Sequence, residues 1–486
     1  MHEANTWFDQ ITTSFNACSL ETFAPIPDGD GPGPISSQCG EDANVCDAIP
    51  LIIGCYQLNE TSCGGSTADA LAAPLDEDSV DDAAVKTAAA ADTALADKSS
   101  RRGELRLYMI PSTSSSASLE NALRGKKDFR FADAPCVVNM ESGVLDGKWR
   151  RRRRIHQESM DGGYETTPIF ASACASGKIH LHSLEKNNSP SWILSHLASS
   201  DEPSPRDEVS LCLSLAWNDF LGVDGGNFPN EEQDQIVSSY SNGTLALHTI
   251  SSAKSEDRSG EGGNNGVYRR TNGICIEETH RWNAHEMFGC PSEVWTCSFI
   301  RGDENVVLSG ADDCSLKIWD VRQTQRETHK IGESEFEAGV TAISPHPARS
   351  HVFAAGSYDE HIRIYDHRKM DRPMTKVCVG GGVWRIKWHP SSWDDEPSRC
   401  GELLVAAMHG GCRVVDISAL DDRRSDGDAD DVVVLSVFTA HESMAYGADW
   451  ICFGRSVCDA AASCSFYDRK AFLWDPCNRK GGNVDG

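Results

Sequence analysis

Short runs in which apolar residues alternate with polar ones recur along this chain, each closed by a small polar turn. The pattern is sharpest in the second half, where one unit repeats: a run, a second run, a tight turn, and a third run ending on an apolar residue and Asp. EVWTCSFI (Glu293 to Ile300) followed by NVVLSGADDCSLKIWD (Asn305 to Asp320) is one copy. GVTAISPHP with HVFAAGSYDEHIRIYD, GVWRIKWHP with LLVAAMHGGCRVVD, and MAYGADW with VCDAAASCSFYDRKAFLWD are three more, ending at Asp366, Asp416 and Asp475. Alternation of period two predicts half-buried strands. Ser241-Asn242-Gly243, Asp312-Asp313 and His409-Gly410-Gly411 carry the residues that hairpin turns need. Successive end-points lie 46, 50 and 59 residues apart, slightly long for a four-stranded unit of about 40–45 residues. Loop insertions account for the surplus.

Weaker copies precede these. GVLDGKW pairs with IFASACASGKIHLHSL, and LCLSLAW with IVSSYSNGTLALHTI. The earliest joins SFNACSLETF (Ser14 to Phe23) to LIIGCYQL and, after an insertion, GELRLYMI. Seven units predict an all-β, seven-bladed propeller over residues 1–486, in which only ring closure protects the sheet edges. The apolar stretch Trp7 to Ile11 is placed to complete the last sheet, next to the strand ending at Asp475. Trp217, Trp388 and Trp450 end inner strands in the same register, which predicts packing between blades. Three segments read as solvated loops rather than blade: the acidic Ala/Ser-rich insertion 64–100, the polar loop 251–266 and the acidic loop 421–431.

Charge narrows the partners. Asp and Glu total 73 against 45 Lys and Arg, a net charge of −28. Such a polyanion repels nucleic-acid phosphate and anionic lipid, so neither is expected as a partner. The basic run Arg150 to Arg154 reads as a charged loop. No N-terminal basic-then-apolar leader is visible, and no window approaches the ~18 uninterrupted apolar residues of a spanning helix. The 19 cysteines include no C-x-x-C pair, and Cys297, Cys412 and Cys452 sit singly in apolar runs. Buried reduced thiols in a cytoplasmic, monomeric protein are expected, with no metal site.

The usual catalytic signatures are missing: no G-x-S-x-G, no phosphate-binding G-x-x-x-x-G-K-[ST], no H-E-x-x-H, and no strand–Gly-rich-loop–helix unit for a nucleotide-type cofactor. Any active site must then be built from loops at one end of the ring. Two of these carry His and Glu together: Trp282-Asn283-Ala284-His285-Glu286 and Ala440-His441-Glu442-Ser443. The turns holding Asp312, Asp313, Tyr358, Asp359, His409 and Asp468 open on the same face. Trp295, Trp384 and Tyr446, at the starts of inner strands, are expected to line the channel mouth beside them.

The strings GGGVWRIKWHP (Gly380 to Pro390) and AHESMAYGADW (Ala440 to Trp450) are more specific than generic repeats. With WNAHE, SGADDCSLKIWDVR and AAGSYDEHIRIYDHR, the chain resembles the WD-repeat family of diphthamide biosynthesis, the diphthine methyl ester hydrolases, often named diphthine methyltransferases. The resemblance is dense from His280 to Asp475 and thin before Ile250. It implies hydrolysis of a methyl ester on a modified histidine of translation elongation factor 2, with water as co-substrate and no cofactor. Ester hydrolysis needs a base, oxyanion donors and an acid for the leaving methanol. His441 or His285 is the expected base, oriented by Glu442, Asp449 or Glu286, with His409 as a third candidate and Ser443 as a possible nucleophile. The implied substrate carries a trimethylammonium group, which aromatic faces recognise. Trp295, Tyr358, Trp384 and Tyr446 are expected to supply them, with Asp312 adding negative charge. A rival reading is a non-enzymatic adaptor. Trp319-Asp320-Val321-Arg322 and Tyr365-Asp366-His367-Arg368 resemble the W-D-x-R feature of cullin-ligase substrate receptors.

Overall fold

The computed structural model describes residues 7–23, 48–58, 101–111, 129–131, 135–150, 168–187, 191–201, 210–218, 234–252, 273–332, 334–390, 401–417, 433–452 and 458–476. Of the expected loops, 64–100 and 421–431 lie outside these residues, as do 253–266 and Arg151 to Arg154. The described chain forms seven four-stranded antiparallel sheets and one two-stranded hairpin. It is a seven-bladed β-propeller of WD-repeat type.

The blades follow chain order. The first uses strands Asn16–Thr22, Ala48–Leu58, Arg101–Pro111 and Cys136–Met140 from channel to rim, and the second starts with Val144–Trp149. The third starts with Cys212–Trp217, the fourth with Thr296–Ile300, the fifth with Val340–Pro345 and the sixth with Arg385–Trp388. The seventh takes Ala445–Cys452, Cys458–Ser465 and Lys470–Trp474 from the C-terminal end, and Trp7–Thr12 as its outer strand. Trp7 pairs with Trp474 and Thr12 with Lys470, so the N-terminal stretch closes the ring as its apolar pattern predicted. Without it the strand Lys470–Trp474 would be an unpaired edge.

The core lies between blades rather than within them. The sixth and seventh blades meet through Leu404, Ala406 and Phe438 against Ala448, Trp450 and Trp474, all buried. Small residues on second strands, such as Ala354, Ala355, Ala460 and Ala461, let neighbouring sheets approach closely. The inner-strand tryptophans add directional bonds. The indole N–H of Trp217 donates to the Lys148 carbonyl at 3.0 Å, that of Trp388 to Ser344 at 3.0 Å and that of Trp450 to Lys387 at 3.1 Å. Each bond reaches the preceding blade in the described ring, so these residues stitch blade to blade.

Cys297 and Cys412 are buried free thiols, as the apolar runs around them predicted. Burial pushes the Cys412 thiol up to about 12, which keeps it protonated and inert. Cys452 differs: it is disulfide-bonded, a correction to the expectation of a reduced thiol there. Among the described residues no helix is long and apolar enough to cross a membrane.

Candidate functional site

The histidines of the two loop motifs are structural in their bonding. His285 is fully buried, and its Nδ1 lies 3.0 Å from both carboxylate oxygens of Asp313. Its Nε2 is 2.7 Å from the Ser309 hydroxyl, which in turn accepts the Trp319 indole N–H at 2.8 Å. Only one proton arrangement satisfies this chain: Trp319 donates to Ser309, Ser309 to His285 Nε2, and His285 Nδ1–H to Asp313. Burial drives the His285 pKa down against the pull of Asp313, so the ring stays neutral. Its one basic nitrogen is already occupied.

His441 repeats the arrangement in the seventh blade. Its side chain is 1% exposed, its Nε2 lies 2.8 Å from the Ser463 hydroxyl, and its Nδ1 is 3.5 Å from Asp468. Phe438 and Phe472 meet its ring edge-on. Glu442 points away, pairing with Lys470, while its backbone N–H donates to Asp468 at 2.9 Å. Asp449 does not orient His441 either. It lies in the channel wall, accepting the Thr22 N–H at 2.9 Å with Lys387 Nζ 3.3 Å away. Glu286 stands on the exposed hairpin after His285.

The channel wall holds a compact ion network. Lys148 lies 2.9 Å from both Glu21 and Asp146, Arg385 reaches Asp146 at 3.2 Å, and Lys387 bonds to Glu21. Burial alone would raise the Glu21 and Asp146 carboxyls, but the neighbouring cations overcome it and hold both below the usual carboxylate range. Every charge here has a partner, so the network reads as the structural lining of the channel.

The aromatic residues do converge. Trp384, at the entry to the sixth blade, has its ring 5.7 Å from Trp295, 6.0 Å from Tyr358 and 4.9 Å from Tyr446. These residues come from four successive blades, and all four are half-buried. A β-bulge at the start of the seventh inner strand, between Ala445 and Gly447, sets the direction of Tyr446. The indole N–H groups of Trp295 and Trp384 are shielded and have no acceptor among the described residues. Asp312 joins this rim, because a Cβ on Gly339 would lie 2.8 Å from its Oδ1 and 3.4 Å from the Tyr358 ring.

His409 sits on the same rim and differs from the other two. Its side chain is 63% exposed, and its Nε2 lies 3.3 Å from the carboxylate of Glu360. The preceding residue, Met408, puts its sulfur beside Gly382, where Tyr358 also packs. An accessible imidazole with a carboxylate partner therefore follows directly in the chain on a residue that packs beside Tyr358. Among the described residues no group of three or more His, Cys, Asp or Glu is arranged to hold a metal ion.

Comparison with known proteins gives this mouth a context. The family model described as "WD domain, G-beta repeat" matches residues 277–320 and 327–366. The first span contains the whole Trp319–Ser309–His285–Asp313 chain. The second contains its counterpart in the fifth blade, where the buried Arg363 bonds Asp359 and Glu335, each at 2.7 Å. The chain is 28% identical over 351 residues to "Diphthine methyltransferase homolog" of Dictyostelium discoideum, covering 70% of this chain and 78% of that protein. It is 31% identical to "Diphthine methyltransferase" of Mus musculus and of Homo sapiens, over 58% of this chain. The chain is thus similar to proteins of this name over more than half of its length. The match spans 50% and 52% of the length of the two mammalian relatives.

Sequence reasoning missed several residues of the mouth. Phe466 lies 5.6 Å from Tyr446 and 4.9 Å from Tyr56, extending the aromatic cluster towards the first blade. Arg385 lies beneath Trp384, its guanidinium 5.7 Å from the ring centre. Glu360 is the partner of His409. Phe466 occupies the turn position of Tyr358 in another blade, directly after Ser465 as Tyr358 follows Ser357, a signal present in the repeat alignment. The rival W-D-x-R arginines fold back locally. Arg322 pairs with Asp320 and Arg368 with Asp366, each at 2.6 Å on the surface.

Proposed function

We propose that this protein hydrolyses the methyl ester of methylated diphthine on translation elongation factor 2, releasing methanol in diphthamide biosynthesis. The observation that carries the reading is the convergence of four aromatic rings at the channel mouth, with the accessible His409–Glu360 pair on the turns that follow Met408 and Tyr358 in the chain. Aromatic faces and the Asp312 carboxylate suit a trimethylammonium group, which offers no hydrogen-bond donor and must be recognised by quadrupole and charge. The name of the relatives supports the pathway, and the sequence resemblance supports the ester.

His409 takes the role of general base. Imidazole is the side chain best suited to accept a proton near neutrality, and Glu360 steadies the imidazolium that forms. His409 removes a proton from water as the oxygen attacks the ester carbonyl. The negative charge develops on the carbonyl oxygen before the tetrahedral species collapses. Collapse of the tetrahedral species breaks the bond to methoxide, and the proton on His409 passes to it, leaving the carboxylic acid and methanol.

The test is methanol release from methylated diphthine-bearing elongation factor with no methyl donor added. His409→Gln should lower the rate by about 10²–10⁴-fold, with its melting unchanged, and Trp384→Ala should raise KM. Wild-type rates in the His409→Gln variant would remove His409 as base. No methanol, together with methylation of the unmethylated substrate from S-adenosylmethionine, would replace hydrolysis by transfer.

A further inference from the structure

The segment that carries His285 into the fourth blade does not run straight to Trp295. It first makes a hairpin, with Glu286 paired to Pro291 and Met287 to Cys290. The root of this hairpin is clamped. The N–H groups of Ala284 and His285 both donate to the Gly243 carbonyl, at 2.9 and 3.0 Å, and Val294 N–H donates to the Tyr240 carbonyl at 3.2 Å. Ser292 N–H closes the base by donating to the His285 carbonyl at 3.2 Å. Space there is tight: Gly243 has φ 79°, and a Cβ on it would lie 2.5 Å from the His285 carbonyl oxygen.

The tip is the opposite. Phe288 is 97% exposed, and a Cβ on Gly289 would meet no atom within 4 Å. Both turn residues are left-handed, with φ of 53° and 80°. Two-residue hairpins of this kind favour Asn-Gly, and a bulky aromatic residue at the first position is strained. The fold therefore obtains neither burial nor backbone ease from Phe288. A rigid arm presents a large apolar side chain to solvent.

We infer that Phe288 is a docking anchor that enters an apolar pocket on the folded protein substrate and holds it against the channel mouth. The inference rests on the reading above that the reacting side chain is presented by a protein. Three observations fix the partner's chemistry. The hairpin emerges directly between the buried His285 and the rim residue Trp295, so whatever it grips lies over the mouth. From Glu286 to Pro291 the hairpin carries the exposed Glu286 and no lysine or arginine, which calls for a basic rim around the partner's pocket. The same acidic flank disfavours insertion into an anionic lipid surface. Exposed aromatic residues that become buried on association are the side chains that dominate protein–protein binding.

Phe288→Asn in the full chain separates docking from folding, because asparagine suits the turn. Its melting temperature should equal or exceed that of the wild type. With methylated diphthine-bearing elongation factor, kcat/KM should fall about tenfold or more through KM, and the dissociation constant should weaken by the same factor. Hydrolysis of a small betaine-type methyl ester should be unchanged. Wild-type binding of the elongation factor by the variant overturns the inference, as does equal slowing on both esters. If the wild type hydrolyses neither ester, the hydrolase reading fails while docking is still judged from the binding constants. A wild-type chain that does not bind the elongation factor overturns both.

Discussion

At the scale of single residues, three histidines near one face of the ring have different fates set by their bonding. His285 and His441 are sealed by a serine on one side and a carboxylate on the other, whereas His409 is largely exposed and pairs with Glu360. His441→Ala should therefore cost about 1–3 kcal/mol of stability, the usual penalty for leaving buried partners unsatisfied. A melting curve of that variant beside His409→Gln checks the contrast: the first should melt lower, the second should not. Two further buried histidines make the protein acid-sensitive. Burial pushes His182 and His248 down to about 4. The unfolded chain binds protons on them below its ordinary value near 6.5 while the folded state does not, so stability falls as pH drops from about 6.5 towards 4. A shift of this size corresponds to about 3 kcal/mol for each residue. Denaturant midpoints measured across that range should decline, and His248→Asn should flatten the slope.

At the scale of elements, each blade is a thin sheet whose two faces are both covered by neighbours, so the contacts between blades carry the stability. Trp388 shows the arrangement: its ring fills the space between the fifth and sixth blades and its N–H binds Ser344. Trp388→Ala should cost about 3–5 kcal/mol, visible as a lower midpoint in chemical denaturation. The fifth blade has no histidine in the position of His285, and Arg363 serves instead, its buried guanidinium holding Asp359 and Glu335 together. Arg363→Met would leave Asp359 buried without its cation and should cost about 3–5 kcal/mol. Calorimetry would show whether that substitution unfolds the whole ring or loosens one blade.

At the scale of the whole molecule, the ring is closed by pairing of both ends of the described chain, Trp7 on Trp474 through Thr12 on Lys470. Deleting residues 1–12 should expose the edge of Lys470–Trp474, lower the melting temperature and promote association through that edge, measurable by light scattering. The period-two runs, the turn residues and the Asp-ended repeats determined by themselves that there are seven blades, where their strands lie and how the last one closes. They could do so because blade structure is written in local alternation and turn chemistry, each confined to a few tens of residues. The aromatic set Trp295, Tyr358, Trp384 and Tyr446 was legible for the same reason: each sits at a repeat position whose place in a blade is fixed. The exposure of His409, the burial of His441 and the pairing of Asp449 with Lys387 were not legible. His285 and His441 each precede a glutamate, whereas His409 stands in a Met-His-Gly-Gly turn with no acidic neighbour in sequence, so local sequence favours the two that the fold buries. Which one meets a serine from its own sheet, and which one is left facing water, depends on contacts between residues tens of positions apart. Those contacts exist only once the blades are folded and packed, and there the tertiary structure alone decided.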